Sequence, residues 1–149
     1  MSLRIVAATA AVSALALAAA SLGSRAATEL DYEFFKAKVQ PIFLMKRPGH
    51  SPCVVCHAEA NNMLKLQKLP EGQSAWGEED TRKNFDTVSK IINAVDDPMT
   101  AKILIHPLAP EAGGDAYHSG GRQFANKNDP YWKTIAAWAQ GATLASTKK

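Results

Sequence analysis

The sequence predicts an all-α domain of four or five short helices joined by long loops, and three observations predict it. No strand pattern, repeat or low-complexity block stands out along the chain. Apolar residues recur at helical spacing in several segments, most clearly between Glu78 and Val95. Two Asp-Pro pairs, Asp97-Pro98 and Asp129-Pro130, each supply a capping side chain followed by a first-turn proline.

Residues 1–26 predict a secretory signal peptide: Arg4 precedes an Ala-, Leu- and Val-rich run from Ile5 to Leu22, and the small residues Ser24 and Ala26 suit cleavage after Ala26. A retained leader would instead associate the chain with a membrane, because the run is near bilayer-spanning length. The 149 residues carry 17 Lys and Arg against 14 Asp and Glu. Loss of the leader removes Arg4 and Arg25 and no acid, leaving 15 cations, 14 anions and 123 residues. That length fits one domain, 27–149, with one core. Charge so nearly balanced, with no clustered basic face, speaks against a nucleic-acid partner.

Thr28-Glu-Leu-Asp31 has the pattern of a capping box, and Tyr32, Phe35, Val39 and Ile42 follow at helical spacing. Pro41 should kink that helix or move its end. Residues 46–52 (KRPGHSP) predict a loop, 58–69 (AEANNMLKLQKL) a short helix, and 70–77 (PEGQSAWG) a surface loop. Between Glu78 and Val95, Phe85, Val88, Ile91, Ile92 and Val95 form one apolar stripe. Asp97-Pro98 opens a brief helix through Ile105, and residues 106–128 form a long loop with four glycines, a length that is usually functional or disordered. Asp129-Pro130 starts a last helix bearing Trp132, Ile135, Ala136 and Ala139, ended by Gly141, with a frayed tail beyond.

The only two cysteines stand in Cys53-Val-Val-Cys56-His57. This spacing serves c-type haem attachment, where both thiols add to vinyl groups and the adjacent imidazole ligates iron. One helical turn presents both sulfurs to a ring edge and His57 to the metal. A redox disulfide shares the Cys-x-x-Cys spacing but usually sits on a βαβ scaffold, and that alternation is missing. A zinc site from His50, Cys53, Cys56 and His57 lacks a second knuckle. Haem c is therefore the expected cofactor, one per chain, and an exported chain suits it. A thin core of few helices would also be filled by a large apolar group.

The residue opposite His57 decides the chemistry. His50 is held on the attachment side and Met63 suits core packing. Met99 stands beside Pro98, and His106 at a helix end where the macrodipole also favours an imidazole. His118 is preferred, because Gly120 and Gly121 let the backbone pass close to a flat ring and Arg122 is placed to pair with a propionate. His106, Met99 and an open sixth position remain as alternatives.

The order PIF…CVVCH, then Ala101-Lys-Ile-Leu-Ile-His-Pro-Leu108, Gly113-Gly…His118-Ser-Gly-Gly-Arg-Gln-Phe124 and Asp129-Pro-Tyr-Trp…Trp138-Ala-Gln-Gly141-Ala resembles the planctomycete-type single-haem cytochrome c domains. The likeness spans about residues 34 to 142. CxxCH is generic to cytochromes c; the His-x-Gly-Gly loop followed by a Trp-bearing last helix is the more specific part. The resemblance implies a cytochrome c-like helical fold around one covalent haem, with a histidine from the Gly-Gly loop opposite His57. Many relatives carry the domain on larger modules; standing alone, it points to a small electron carrier rather than an enzyme. The expected partners are a redox donor and acceptor, reached in the periplasm or outside the cell. A subunit of a larger redox complex, with Trp76, Trp132 and the long loops as contact surfaces, is a related expectation. A haem enzyme or a peroxide- or gas-binding protein with an open sixth position is the alternative chemistry.

Overall fold

A computed structural model describes residues 29–147. The leader expected at 1–26, Thr28 of the capping pattern, and Lys148 and Lys149 lie outside the described residues. Asp31 caps the first helix, its carboxylate accepting from the Phe34 N–H at 2.5 Å. The start is therefore set at the last residue of the Thr28–Asp31 pattern. Helix α1 covers Tyr32–Phe34, a π-helical turn covers Phe35–Val39, and helix α2 covers Gln40–Leu44. Pro41 accounts for the π turn: it has no N–H to donate, and its ring crowds the carbonyl one turn back. The run widens instead of breaking, with the Gln40 N–H reaching the Phe35 carbonyl. Phe35 and Val39 end up fully buried.

Helix α3, Cys53–His57, is one turn, as the attachment spacing requires. The helix expected over 58–69 does not form. Its backbone bonds go elsewhere: the Leu66 N–H to the His57 carbonyl at 3.0 Å, the Gln67 N–H to Asn84 Oδ1 at 2.7 Å, and the Gln67 carbonyl to Trp76 Nε1–H at 2.9 Å. Partners outside the segment satisfy these groups without an i→i−4 ladder. Met63 consequently lies on no helix and is 65% exposed, against the expected core position.

Helix α4 runs Glu78–Asn93 and buries Val88, Ile91 and Ile92 on the predicted stripe. Asp97 caps as expected, but the following segment is divided: a 3-10 turn at Pro98–Thr100, an extended Ala101, then helix α5 at Lys102–Ile105. Helix α6, Pro130–Ala139, is capped by Asp129 on the Tyr131 and Trp132 N–H groups and closes at Gly141, whose φ is 94°. The tail makes a 3-10 turn at Ala145–Thr147. With α1 and α2 counted as one run, five α-helical runs and three 3-10 turns, the remaining one at Pro110–Ala112, stand among the described residues. No strand occurs there; two isolated bridges, Arg47 with His50 and Leu108 with Phe124, are the only β pairing.

The two ends of the domain pack together. Trp138 is fully buried against Phe35, centroids 5.2 Å apart, with Phe85 edge-on to both, and its Nε1–H donates to the Asp31 carbonyl at 2.8 Å. Trp132 donates to the Leu104 carbonyl at 3.0 Å. Trp76 and Trp132 are 7% and 5% exposed, so both are core residues and neither is a contact surface. Their ring N–H groups have partners, which lets the aromatic bodies stay out of water.

A buried polar chain joins α2, α4 and the segment after α3. Gln40 Nε2 donates to Thr81 Oγ1 at 3.0 Å, Asn84 Nδ2 donates to Gln40 Oε1 at 3.4 Å, and Asn84 Oδ1 accepts from Gln67. Asn84 is fully buried. Truncating it orphans the half-buried Gln67 N–H and the buried Gln40 amide oxygen. Asn84→Ala is expected to lower the unfolding free energy by about 2–3 kcal/mol, measured by denaturant titration; an unchanged midpoint would contradict the buried chain.

Candidate functional site

Helix α3 and the Gly-Gly loop face each other across one cavity of about 360 Å³, within the range of small-molecule and cofactor pockets. Ile42, Phe43, Ile91, Ile103, Phe124 and Ile135 supply apolar walls; Cys53, Cys56, His57, His106 and His118 supply the chemistry. Ile42 and Phe43 reach it because the π turn carries α2 into the core.

Each cysteine has a distinct setting. Cys53 is partly buried and Cys56 exposed, both as free thiols. Burial pushes the Cys53 thiol up to about 11, so it is held neutral. His57 sets its Nδ1 2.9 Å from the Leu64 carbonyl oxygen. A carbonyl only accepts, so Nδ1 carries a proton, and in the neutral tautomer the lone pair lies on Nε2. His118 is arranged the same way, with Nδ1 2.6 Å from the Gly121 carbonyl oxygen. Burial lowers the His118 pKa, helped by the neighbouring His106, His57 and Arg122 and opposed by the hydrogen bond to the Gly121 carbonyl; the net shift favours the neutral imidazole.

The two rings stand with centroids 6.3 Å apart and planes 17° from parallel. Two imidazoles bound through Nε2 to one metal ion, at ~2 Å per bond, set their centroids ~6 Å apart. The observed centroid spacing matches that distance. Tying Nδ1 to a carbonyl is how proteins fix the tautomer and orientation of ligating histidines.

The other candidates separate. His106 lines the same cavity, its ring edge-on to His118 at 4.9 Å, with Nδ1–H donating to Asp115 Oδ2 at 2.7 Å. Lys102 shares that carboxylate at 2.8 Å, and these two donors hold the Asp115 pKa below the ordinary range. Met99 is partly buried against the core and does not line the cavity. His50 is half-buried, with its ring beside Gly121. Arg122 does not line the cavity; its Nη2 donates to the Ala116 carbonyl, and its buried Nη1 has no partner.

Among the described residues no group of three or more His, Cys, Asp and Glu is arranged to hold a metal ion, which leaves the zinc reading without a cluster. A metal carried by a macrocycle needs only two protein donors, and the paired imidazoles and paired thiols fit a c-type haem. A Cβ at Gly120 would lie 3.0 Å from His118 Cε1, so a side chain there would press on that ring.

Several contributors carried no sequence signal. The Leu64 and Gly121 carbonyls are backbone groups, and Asp115 and Gln123 acquire their roles from loop closure. That closure is specific: Ala109 N–H donates to the Phe124 carbonyl at 2.9 Å, Phe124 N–H to the Pro107 carbonyl at 3.1 Å, and Asp115 N–H to the Ile105 carbonyl at 3.0 Å. The long loop is thus ordered, not slack.

No family model matches this chain, and no curated protein or solved structure matches it. No helix among the described residues is long and apolar enough to cross a membrane.

Gly121 has φ 79°, in the left-handed region, and a Cβ there would lie 3.2 Å from His50 Nδ1. Gly121→Ala is expected to lower the unfolding free energy by about 1–2 kcal/mol, and Gly120→Ala, outside that region, by less. Urea titration of the two variants measures this, and an unchanged midpoint for Gly121→Ala contradicts it.

Proposed function

We propose that this chain is an exported single-haem c-type cytochrome that carries electrons, of the type its motifs resemble. In this reading Cys53 and Cys56 hold haem c as thioethers, His57 and His118 ligate the iron, and Arg122 pairs with a propionate. The observation that carries it is the pair of near-parallel imidazoles 6.3 Å apart, both with Nδ1 committed to backbone carbonyls, across a cavity that both cysteines line.

When bound, haem supplies a one-electron ferric/ferrous couple. His57 and His118 keep the same two donors in both oxidation states, which leaves no position for an added ligand. The apolar walls exclude water and limit the solvent rearrangement that accompanies a change of charge. Two imidazoles favour a lower potential than an imidazole with a methionine thioether. The partners are a redox donor and acceptor outside the cytoplasmic membrane, met as a free carrier, through a retained leader at the membrane, or as a subunit of a larger redox complex.

One observation favours a second reading. The His106–Asp115 pair beside His118 is a polar pair of the kind that a haem enzyme or a peroxide- or gas-binding protein uses once the sixth position opens.

Replacing His118 with alanine is expected to turn a low-spin spectrum high-spin and admit carbon monoxide, whereas His106→Ala leaves the coordination unchanged. Optical spectra of the reduced proteins measure both. Ready carbon monoxide binding by the unaltered protein would instead support the second reading, and a high-spin spectrum from His106→Ala alone would reverse the ligand assignment.

A further inference from the structure

We infer that Gln123 is the positioning residue that fixes where His118 stands relative to His57; what the two rings hold rests on the haem reading above. Gln123 is 7% exposed, and its side-chain nitrogen donates to the Ser51 carbonyl at 3.1 Å and to the Gly120 carbonyl at 3.2 Å. Ser51 lies two residues before Cys53, in the loop that enters α3. Gly120 lies two residues after His118. One amide group therefore spans the two segments that carry the facing imidazoles.

The chemistry of the contact is restrictive. Both partners are carbonyl oxygens, so the site needs one group with two N–H donors, and an amide flipped end for end would set three oxygens together. The strut is itself anchored at its base. The Gln123 carbonyl accepts from Arg47 Nη1, Arg47 Nη2 pairs with Asp129 at the cap of α6, and the guanidinium lies 5.3 Å from both the Phe124 and Tyr131 ring centroids.

The remaining bonds of the His118 turn do not fix this distance. Gly121 N–H to the His118 carbonyl, His118 Nδ1–H to the Gly121 carbonyl and Arg122 to the Ala116 carbonyl all lie within the loop and move with it. The Gln123 amide joins the His118 turn, at Gly120, directly to Ser51, whereas Arg47 holds only the Gln123 backbone beyond the turn. Removal of the amide leaves the turn and the Arg47 anchor intact and loosens the separation of the turn from α3.

The experiment compares the haem-loaded protein with Gln123→Glu, which keeps the shape but removes both donors, and Gln123→Met, which has similar length and no donor. Trp138→Phe, which loses the bond to the Asp31 carbonyl away from the cavity, is the control for loss of stability alone. Both Gln123 variants are expected to retain the mass of the loaded protein, to show mixed spin states, and to bind carbon monoxide about tenfold more readily; the control keeps the native spectrum. A native spin state and native carbon monoxide binding in both Gln123 variants overturn the inference. In the unaltered protein, exchange of the Gln123 side-chain amide protons is expected to be slowed by about tenfold or more, and exchange at the rate of a free glutamine overturns the inference without any variant. A wild-type mass without haem refutes the cofactor reading instead, and the exchange measurement still decides the strut.

Discussion

His57 and His118 each commit the Nδ1 proton to a backbone carbonyl, and the rings stand 6.3 Å apart with nearly aligned planes. Neither constraint is local to its own residue. His57 depends on the Leu64 carbonyl, and so on the irregular course of residues 58–69. His118 depends on the Gly121 carbonyl, and so on a turn that only glycine accommodates without strain. The pairing of the two rings then depends on how the attachment loop and the Gly-Gly loop are held together.

The helices serve that junction. The π turn before Pro41 lets α2 deliver Ile42 and Phe43 to the cavity while keeping Phe35 under Trp138. The Gln40–Thr81–Asn84 chain pins the segment after α3 to α4 through the Gln67 N–H. Arg47 links the attachment loop to the start of α6. Domains of this length have limited apolar surface to bury, and an apolar group seated between α3 and α6 would add to a core that the helices close only partly.

Much of this was legible in the residues. The stripe on α4 and the Asp-Pro starts follow from spacing and capping chemistry, and the structure keeps them. The one-turn geometry of α3 follows from the five-residue motif itself. Residues 58–69 lack the expected helix because Asn84 and Trp76, distant in sequence, claim Gln67 backbone groups that a helix would satisfy internally. Trp76 and Trp132 looked like surface aromatics because ring N–H partners on the backbone leave no trace in sequence. The loop from 106 to 128 hid most: His118 was found from its glycines, but its relation to His106, Asp115 and Gln123 exists only after Leu108 and Phe124 come together.

The central claim is that His57 and His118 grip one haem iron from opposite faces in nearly parallel planes. Electron paramagnetic resonance of the native ferric protein tests it most directly, because aligned ligand planes split the two iron orbitals that point between them. The account predicts a single low-spin rhombic signal of bis-imidazole type. A high-spin signal, a low-spin signal with a methionine ligand, or protein free of iron would contradict it.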